Sequence, residues 1–373
     1  MTQIITPVMA AFTPIKFSLK LVELLYNDPI YNVIANTKYE GTIKESGDKV
    51  RVRTSGRISL STYSKGLQLV KQELTPTSED LIIDQAKYFS FGVDDVDKIQ
   101  NDIDAINEYA ANAKRDMAEI LDTDILLYGR KNVYYANVVG TNYSTGTVSI
   151  AATTGVVTGS GTTFTSAMVG GLLKVVGQTN AYLISAFTST TSITVVDQGD
   201  NTVYTGGALS AVAAGQDAFT IWGATHIAAT KSTIYKNLVD VTTALNAQKV
   251  PRNDRYVVLN AAAEGILRQA PEFIPAVQSA YNNVVERGVV GMIAGLKVVF
   301  SQLVDGNNTT GYWYIAGDRE FISFASQIMK VSVVPSEADP NSFVSTCKGL
   351  LVWGRKTFAE NRKRGAVLRA TIG

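Results

Sequence analysis

The sequence predicts an α+β protein that carries a separate all-β module, and three observations make that prediction. Apolar residues recur at helical spacing after residue 94, a charge-poor stretch rich in Thr, Ser, Gly and Val fills residues 138–222, and helical and strand patterns alternate from there to the end. The 373-residue chain is 46% apolar and 18% charged. Such a composition supports about two or three packed units and excludes disordered and collagen-like classes.

Residues 1–46 show no sustained period and contain Pro7, Pro14 and Pro29. They are expected to form an extended arm with one short helix around Leu19–Leu25. The apolar stretch Ile4–Phe12 precedes the first lysine, Lys16, the wrong order for a secretory signal. No apolar run reaches the roughly 20 residues of a membrane helix, so no membrane association is expected. Residues 47–93 are strand-like. Val50 and Val52 alternate with Arg51 and Arg53, Leu81–Ile83 and Tyr88–Phe91 are apolar runs, and Thr54-Ser55-Gly56 and Ser64-Lys65-Gly66 mark turns, which together make a long hairpin-like excursion.

Val96, Ile99, Ile103, Ile106, Ala110, Ala113, Met117 and Ile120 form one stripe of a helix expected from about Asp94 to Leu127, within a segment 94–137. Its other faces are acidic: Asp94, Asp95, Asp97, Asp102, Asp104, Glu108, Asp116, Glu119, Asp122 and Asp124. Packing on a sheet and pairing in a two-stranded coiled coil both suit a seam containing Ala110 and Ala113.

Between Val138 and Trp222 the only charged residues are Lys174, Asp197, Asp200 and Asp217. Short β-type runs at Thr147–Ala151, Leu172–Val176, Ala181–Ile184 and Ser192–Val196 predict an inserted β-module. Beyond it, in 223–330, Ile234, Leu238, Val241 and Leu245 make a helical stripe. Tyr256–Leu259 reads as a buried strand, followed by a short helix ending before Pro271. Residues 331–373 return to strands.

Catalytic chemistry needs convergent polar groups, and the sequence offers few. His226 is the single histidine, which removes His-rich metal sites and any Ser-His or Cys-His pair lacking it; it reads as a strand or module-boundary residue. No phosphate-binding Gly-Lys-Ser/Thr loop, nucleophile elbow or zinc-protease motif occurs. Asp102 and Asp104, like Asp122 and Asp124, are two apart, so a helix points them about 200° apart and they cannot chelate one ion together; they read as a solvated or partner-facing surface. Asp197-Gln-Gly-Asp-Asn201 reads as a turn rather than a calcium loop, and Tyr312-Trp313-Tyr314 as sheet core rather than a base-stacking platform. Cys347 has no second thiol to pair with. No catalytic residue, cofactor or metal is expected.

The order of arm, β-excursion, long acidic helix, α+β domain and final strand resembles the HK-97 fold of tailed-phage major capsid proteins. The resemblance is carried by Gly47–Arg53 (GDKVRVR), Ile83–Asp102 (IDQAKYFSFGVDDVDKIQND), Val250–Gln269 (VPRNDRYVVLNAAAEGILRQ), Gly288–Leu303 (GVVGMIAGLKVVFSQL) and Gly349–Lys356 (GLLVWGRK). It implies an N-terminal arm, an extended loop, a spine helix, and peripheral and axial domains, here with an all-β insertion.

The implied function is that of a structural subunit, not an enzyme, which self-assembles into pentamers and hexamers around double-stranded DNA. A separate scaffolding protein, a portal and a possible decoration protein are the other implied partners. The implied location is the virion, with assembly in the host cytoplasm. A net charge of +1 suits a wall that does not grip DNA. A bacterial nanocompartment shell of the same fold, or a phage tail or adhesin carbohydrate-binding protein, are the alternatives. In this fold the loop of one subunit lies across its neighbour. The loop cations Arg51, Arg53, Arg57, Lys65 and Lys71 are therefore expected to meet a neighbour's Asp94, Asp95, Asp97, Asp102 and Asp104.

Overall fold

A computed structural model describes residues 29–39, 49–54, 58–66, 68, 71–74, 76–94, 105–151, 153–199, 204, 218–271, 291–334 and 344–373. Helices among them are α1 (Tyr31–Ile34), α2 (Ala105–Lys131), α3 (Ile234–Ala247) and α4 (Ala261–Arg268). The expected helix around Leu19–Leu25 lies outside the described residues. Contacts divide the chain into two units: residues 1–26, 86–117 and 328–351 form one, and 27–85, 118–327 and 352–373 the other. The chain crosses from one to the other within α2 and within the strands Ile322–Val334 and Val344–Lys356.

In the smaller unit the far lengths of those two strands lie in one sheet with Gln85–Asp94. Phe89 and Phe91 stack at 6.0 Å, and Gly349 lies so close beneath Phe89 that any side chain there would meet the ring. Cys347 is buried here.

The larger unit holds a mixed sheet in the order Ile227–Ala229, Gly365–Ile372, Gly311–Asp318, Arg255–Leu259, Leu296–Phe300, Met292–Ile293. Arg255–Leu259 and Leu296–Phe300 run parallel, with α4 in the connection between them. Every residue of Arg255–Leu259 is buried, as a strand covered on both faces requires. Asn260 caps α4, its Oδ1 accepting the Ala263 N–H at 2.9 Å and the Tyr314 hydroxyl at 3.1 Å. The stripe Ile234, Leu238, Val241, Leu245 is fully buried, as its spacing predicts.

A seven-stranded antiparallel sheet is built wholly from residues 141–225, in the order Thr141–Tyr143, Phe219–Thr225, Leu172–Val175, Tyr182–Ser189, Ser192–Asp197, Val156–Ser160, Thr147–Ile150. Its two outermost strands are consecutive in sequence, so the sheet curls around its own core of Val148, Phe164, Leu173, Ile184, Val195, Phe219 and neighbours. Curling brings the sheet's two edges toward each other, which suits a module with few charges to protect an open edge.

Three expectations about the long helix need correction. Asp94 ends a strand, because the extended pattern from Gln85 persists to that residue, and the described helix runs Ala105–Lys131, about 40 Å. Ile120 is 39% exposed; the buried register instead continues through Met117, Leu121, Ile125 and Tyr128. Asp122 and Asp124 both have partners within the chain. Asp122 is buried and accepts N–H bonds from Ile30 and Tyr31, while Asp124 accepts the Trp353 indole N–H at 2.8 Å and faces Arg355. Their divergence by two positions does hold, since each serves a different part of the chain.

Candidate assembly surfaces

Lys49–Thr54 pairs antiparallel with Thr77–Ile82, placing Arg51 opposite Asp80 and Val50 opposite Leu81. Alternation sends Val50, Val52 and Leu81 into a cluster with Ala325, Phe358, Tyr39 and Ile83, and leaves Lys49, Arg51 and Arg53 facing solvent. Arg51 grips Asp80 with two parallel bonds, Nε to Oδ1 at 2.8 Å and Nη2 to Oδ2 at 3.0 Å. That hydrogen bond raises the pKa of Arg51 and lowers that of Asp80, with their mutual charge attraction acting in the same directions. Glu79 accepts the Ala359 N–H at 3.1 Å, tying the hairpin base to the C-terminal segment.

Beyond the base, the described residues 58–66, 68 and 71–74 have no helix or strand and are exposed throughout. Ile58, Leu60, Tyr63 and Leu74 are 69%, 97%, 67% and 46% exposed. The Ser59 N–H donates to Gln72 Oε1 at 3.1 Å across the two arms of the excursion. Leaving four large apolar side chains in water within one short excursion is unfavourable unless another surface covers them. In the smaller unit Tyr88, 81% exposed, and Leu350 rim an open apolar groove floored by Phe89 and Gly349.

Of the residues expected to join subunits, Arg51 and Arg53 lie on the solvent face of the hairpin, and Lys65 and Lys71 on the excursion. Asp94 is the last residue of its strand. Arg57, Asp95, Asp97, Asp102 and Asp104 lie outside the described residues. Arg51 already has a carboxylate partner, Asp80 of its own hairpin, which the reading of the sequence did not pair with it.

Two further residues were missed. Asp122 shares a helix face with Ile125 and Leu126, three and four positions on, and that spacing was the available signal. Arg369 stands inside the continuously buried run Gly365–Ala370. It is 2% exposed and donates Nη1 to the carbonyls of Gly223 and Ala224, and Nη2 to those of Ala167 and Thr310. Its guanidinium also lies 4.4 Å from the Trp313 ring centre.

Among the described residues no group of three or more His, Cys, Asp and Glu side chains could hold a metal ion, and no helix is long and apolar enough to cross a membrane. His226 sits between the strands Phe219–Thr225 and Ile227–Ala229. Trp313 and Tyr314 are sheet core.

Residues 187–368 match a family model described as phage capsid protein. The chain is similar in structure to one from Mycobacterium phage Che8, at 18% identity and a TM-score of 0.63, covering 96% of this chain and 97% of that one. A capsid chain of cyanophage Pam1 matches at 13% identity and a TM-score of 0.61 over 100% and 99%, and one of cyanophage P-SCSP1u at 14% and 0.60 over 98% and 94%. No curated protein sequence matches significantly. The mixed α/β fold is that of phage capsid chains, and residues 187–368 match the phage capsid protein family.

Proposed function

We propose that this chain is the repeating wall subunit of an icosahedral tailed-phage shell. It has the HK-97 type of tile, with α2 as the spine helix, residues 47–93 as the extended loop and peripheral strands, and residues 138–222 as an inserted β-module. Subunits assemble as pentamers and hexamers around double-stranded DNA, with a separate scaffold and a portal as partners. The role is structural rather than catalytic.

The observation that carries this reading is the uncovered apolar excursion, Ile58, Leu60, Tyr63 and Leu74, on a hairpin whose base is firmly held. A neighbouring copy supplies the missing cover. Electron microscopy of the purified protein should show closed shells or rings of five and six subunits; a uniform population of monomers or trimers at high concentration would overturn the reading.

The cations of the same hairpin act between chains, toward the neighbour's Asp94–Asp104 segment. Each exposed pair contributes about 0–1 kcal/mol, so the effect comes from the summed field of many repeats. Reversing Arg51, Arg53 and Arg57 to Glu should slow assembly in low salt, with added salt narrowing the gap from wild type. Because Arg51 also holds Asp80, Asp80→Asn serves as the control for loss of the internal pair alone. Light scattering at the wild-type rate for the triple variant in low salt would remove the proposed contact.

A further inference from the structure

The helix α3 closes on a lysine where glycine would be expected. The Lys249 N–H donates to the Asn246 carbonyl at 2.9 Å and the Val250 N–H to the Leu245 carbonyl at 3.2 Å. These two bonds place Lys249 at the left-handed position just past the helix, with a φ of +59°. Glycine is the residue that adopts this conformation without strain. Buried Arg255 fixes the turn from beneath, its Nε donating to the Pro251 carbonyl at 2.7 Å and its Nη2 to the Val250 carbonyl at 2.6 Å.

Facing this turn is a second one, the short 3-10 helix Glu360–Arg364. Its main chain is held by Asn137, whose Nδ2 donates to the Lys363 carbonyl at 2.8 Å, and Asn361 Nδ2 donates to the Glu320 carbonyl at 2.9 Å. Between the two turns lies a pocket of about 370 Å³, where Lys249, Lys363 and Arg364 stand against one carboxylate, Glu360. Buried Asp318 aims Arg364 by accepting its Nη1 at 2.5 Å. The Lys363 Nζ is 3.8 Å from Glu360, whose side chain is 72% exposed.

We propose that this pocket is an anion site that takes a phosphate group, either free or carried on a nucleic-acid backbone. Three cations from two separately held turns converge on it. A guanidinium fork beside two ammonium groups matches the several oxygens of a phosphate better than a single carboxylate. The carbonyls of Leu245 and Asn246 already accept the bonds that close α3, and those of Val250 and Pro251 accept from Arg255, so these four do not oppose an anion. Glu360 is the lining group that repels one. Its exposed pair with Lys363 is weak enough for an arriving phosphate to displace.

Magnetic resonance of the full-length unassembled subunit, titrated with inorganic pyrophosphate at constant ionic strength, should show saturable shifts at the amides of Lys249, Val250 and residues 361–364. Lys249→Gly is the decisive variant, because it removes a cation while supplying the residue the turn favours. It should unfold at the same temperature as wild type or higher, and yet bind about two- to fivefold more weakly. Lys363→Met should weaken binding to a similar extent, and Glu360→Gln should tighten it. A short DNA duplex in place of pyrophosphate tells the sources apart. Duplex binding that weakens in Lys249→Gly assigns the nucleic-acid backbone, and pyrophosphate binding without duplex binding assigns a free phosphate. Shifts no larger than those from sodium chloride at the same ionic strength overturn the proposal, as does equal affinity in wild type, Lys249→Gly and Lys363→Met. Saturable binding of an oligoglutamate peptide with no response to either phosphate ligand also overturns it. No assembly is involved, so these outcomes bear on the pocket alone and leave shell formation to its own test.

Discussion

Arg369→Met should destabilise the unassembled subunit by about 3–5 kcal/mol, read as a lowered midpoint in thermal or denaturant unfolding. The expectation follows from where its four hydrogen bonds go. Nη1 reaches Gly223 and Ala224 at 2.7 and 3.1 Å, and Nη2 reaches Ala167 and Thr310 at 2.7 and 3.0 Å. Gly223 and Ala224 lie on a strand of the seven-stranded sheet, Ala167 on a short helical turn of the same module, and Arg369 itself on the mixed sheet.

One planar fork therefore joins the two sheets, and a methionine would leave these carbonyls without their donor. Burial, reinforced by the like charge of Arg130, lowers the guanidinium to about 10, which leaves it protonated at neutral pH. Arg130 lies 4.8 Å from the same Trp313 ring and pairs with Asp305, so the ring carries two cations. Arg369→Lys should recover only part of the loss, because one ammonium cannot span both pairs of carbonyls. A change below about 1 kcal/mol for Arg369→Met would show that the stitch contributes little.

Gly354→Ala should release the hairpin base. A Cβ at this position would lie 2.1 Å from the Ile82 carbonyl oxygen and 2.9 Å from the Ile83 Cα. These are backbone atoms, which cannot turn aside as a side chain can, so the returning strand must shift. Overpacking of this kind costs about 1–3 kcal/mol, and more where backbone has to move.

Because the affected strand closes the hairpin, faster proteolysis between residues 49 and 82 should appear before global unfolding, and assembly should fail with it. Gly265→Ala is a control of opposite sign. That glycine lies inside α4 with open space around it, so alanine should stabilise by about 0.5–1 kcal/mol. Unchanged proteolysis of Gly354→Ala would mean that the strands tolerate the side chain.

Local pattern was enough for much of the architecture. Period-two alternation places Val50 and Val52 on one face and Arg51 and Arg53 on the other, and the observed register has that arrangement. Turn residues and β-branched runs locate the strands Leu172–Val175 and Ser192–Asp197 within a residue of their expected ends. The stripe on α3 and the strand before α4 were legible for the same reason, since burial along one face repeats at the period of the element itself.

What the sequence by itself determined, then, is which segments alternate, which coil, and which faces are apolar, because those properties arise between residues a few positions apart. Partners far along the chain were decided only by the tertiary structure. Asp122 belongs to a run of acids that reads as a solvated helix face, and only the arrival of Ile30 and Tyr31 makes it a buried acceptor. Arg369 reads as one more charge near the end, until Gly223, Ala224, Ala167 and Thr310 converge on it. Arg51 finds Asp80 across its own hairpin rather than waiting for a neighbour. A polar group's partner is set by three-dimensional convergence, and a buried donor or acceptor takes whichever complementary group the packed chain brings within reach.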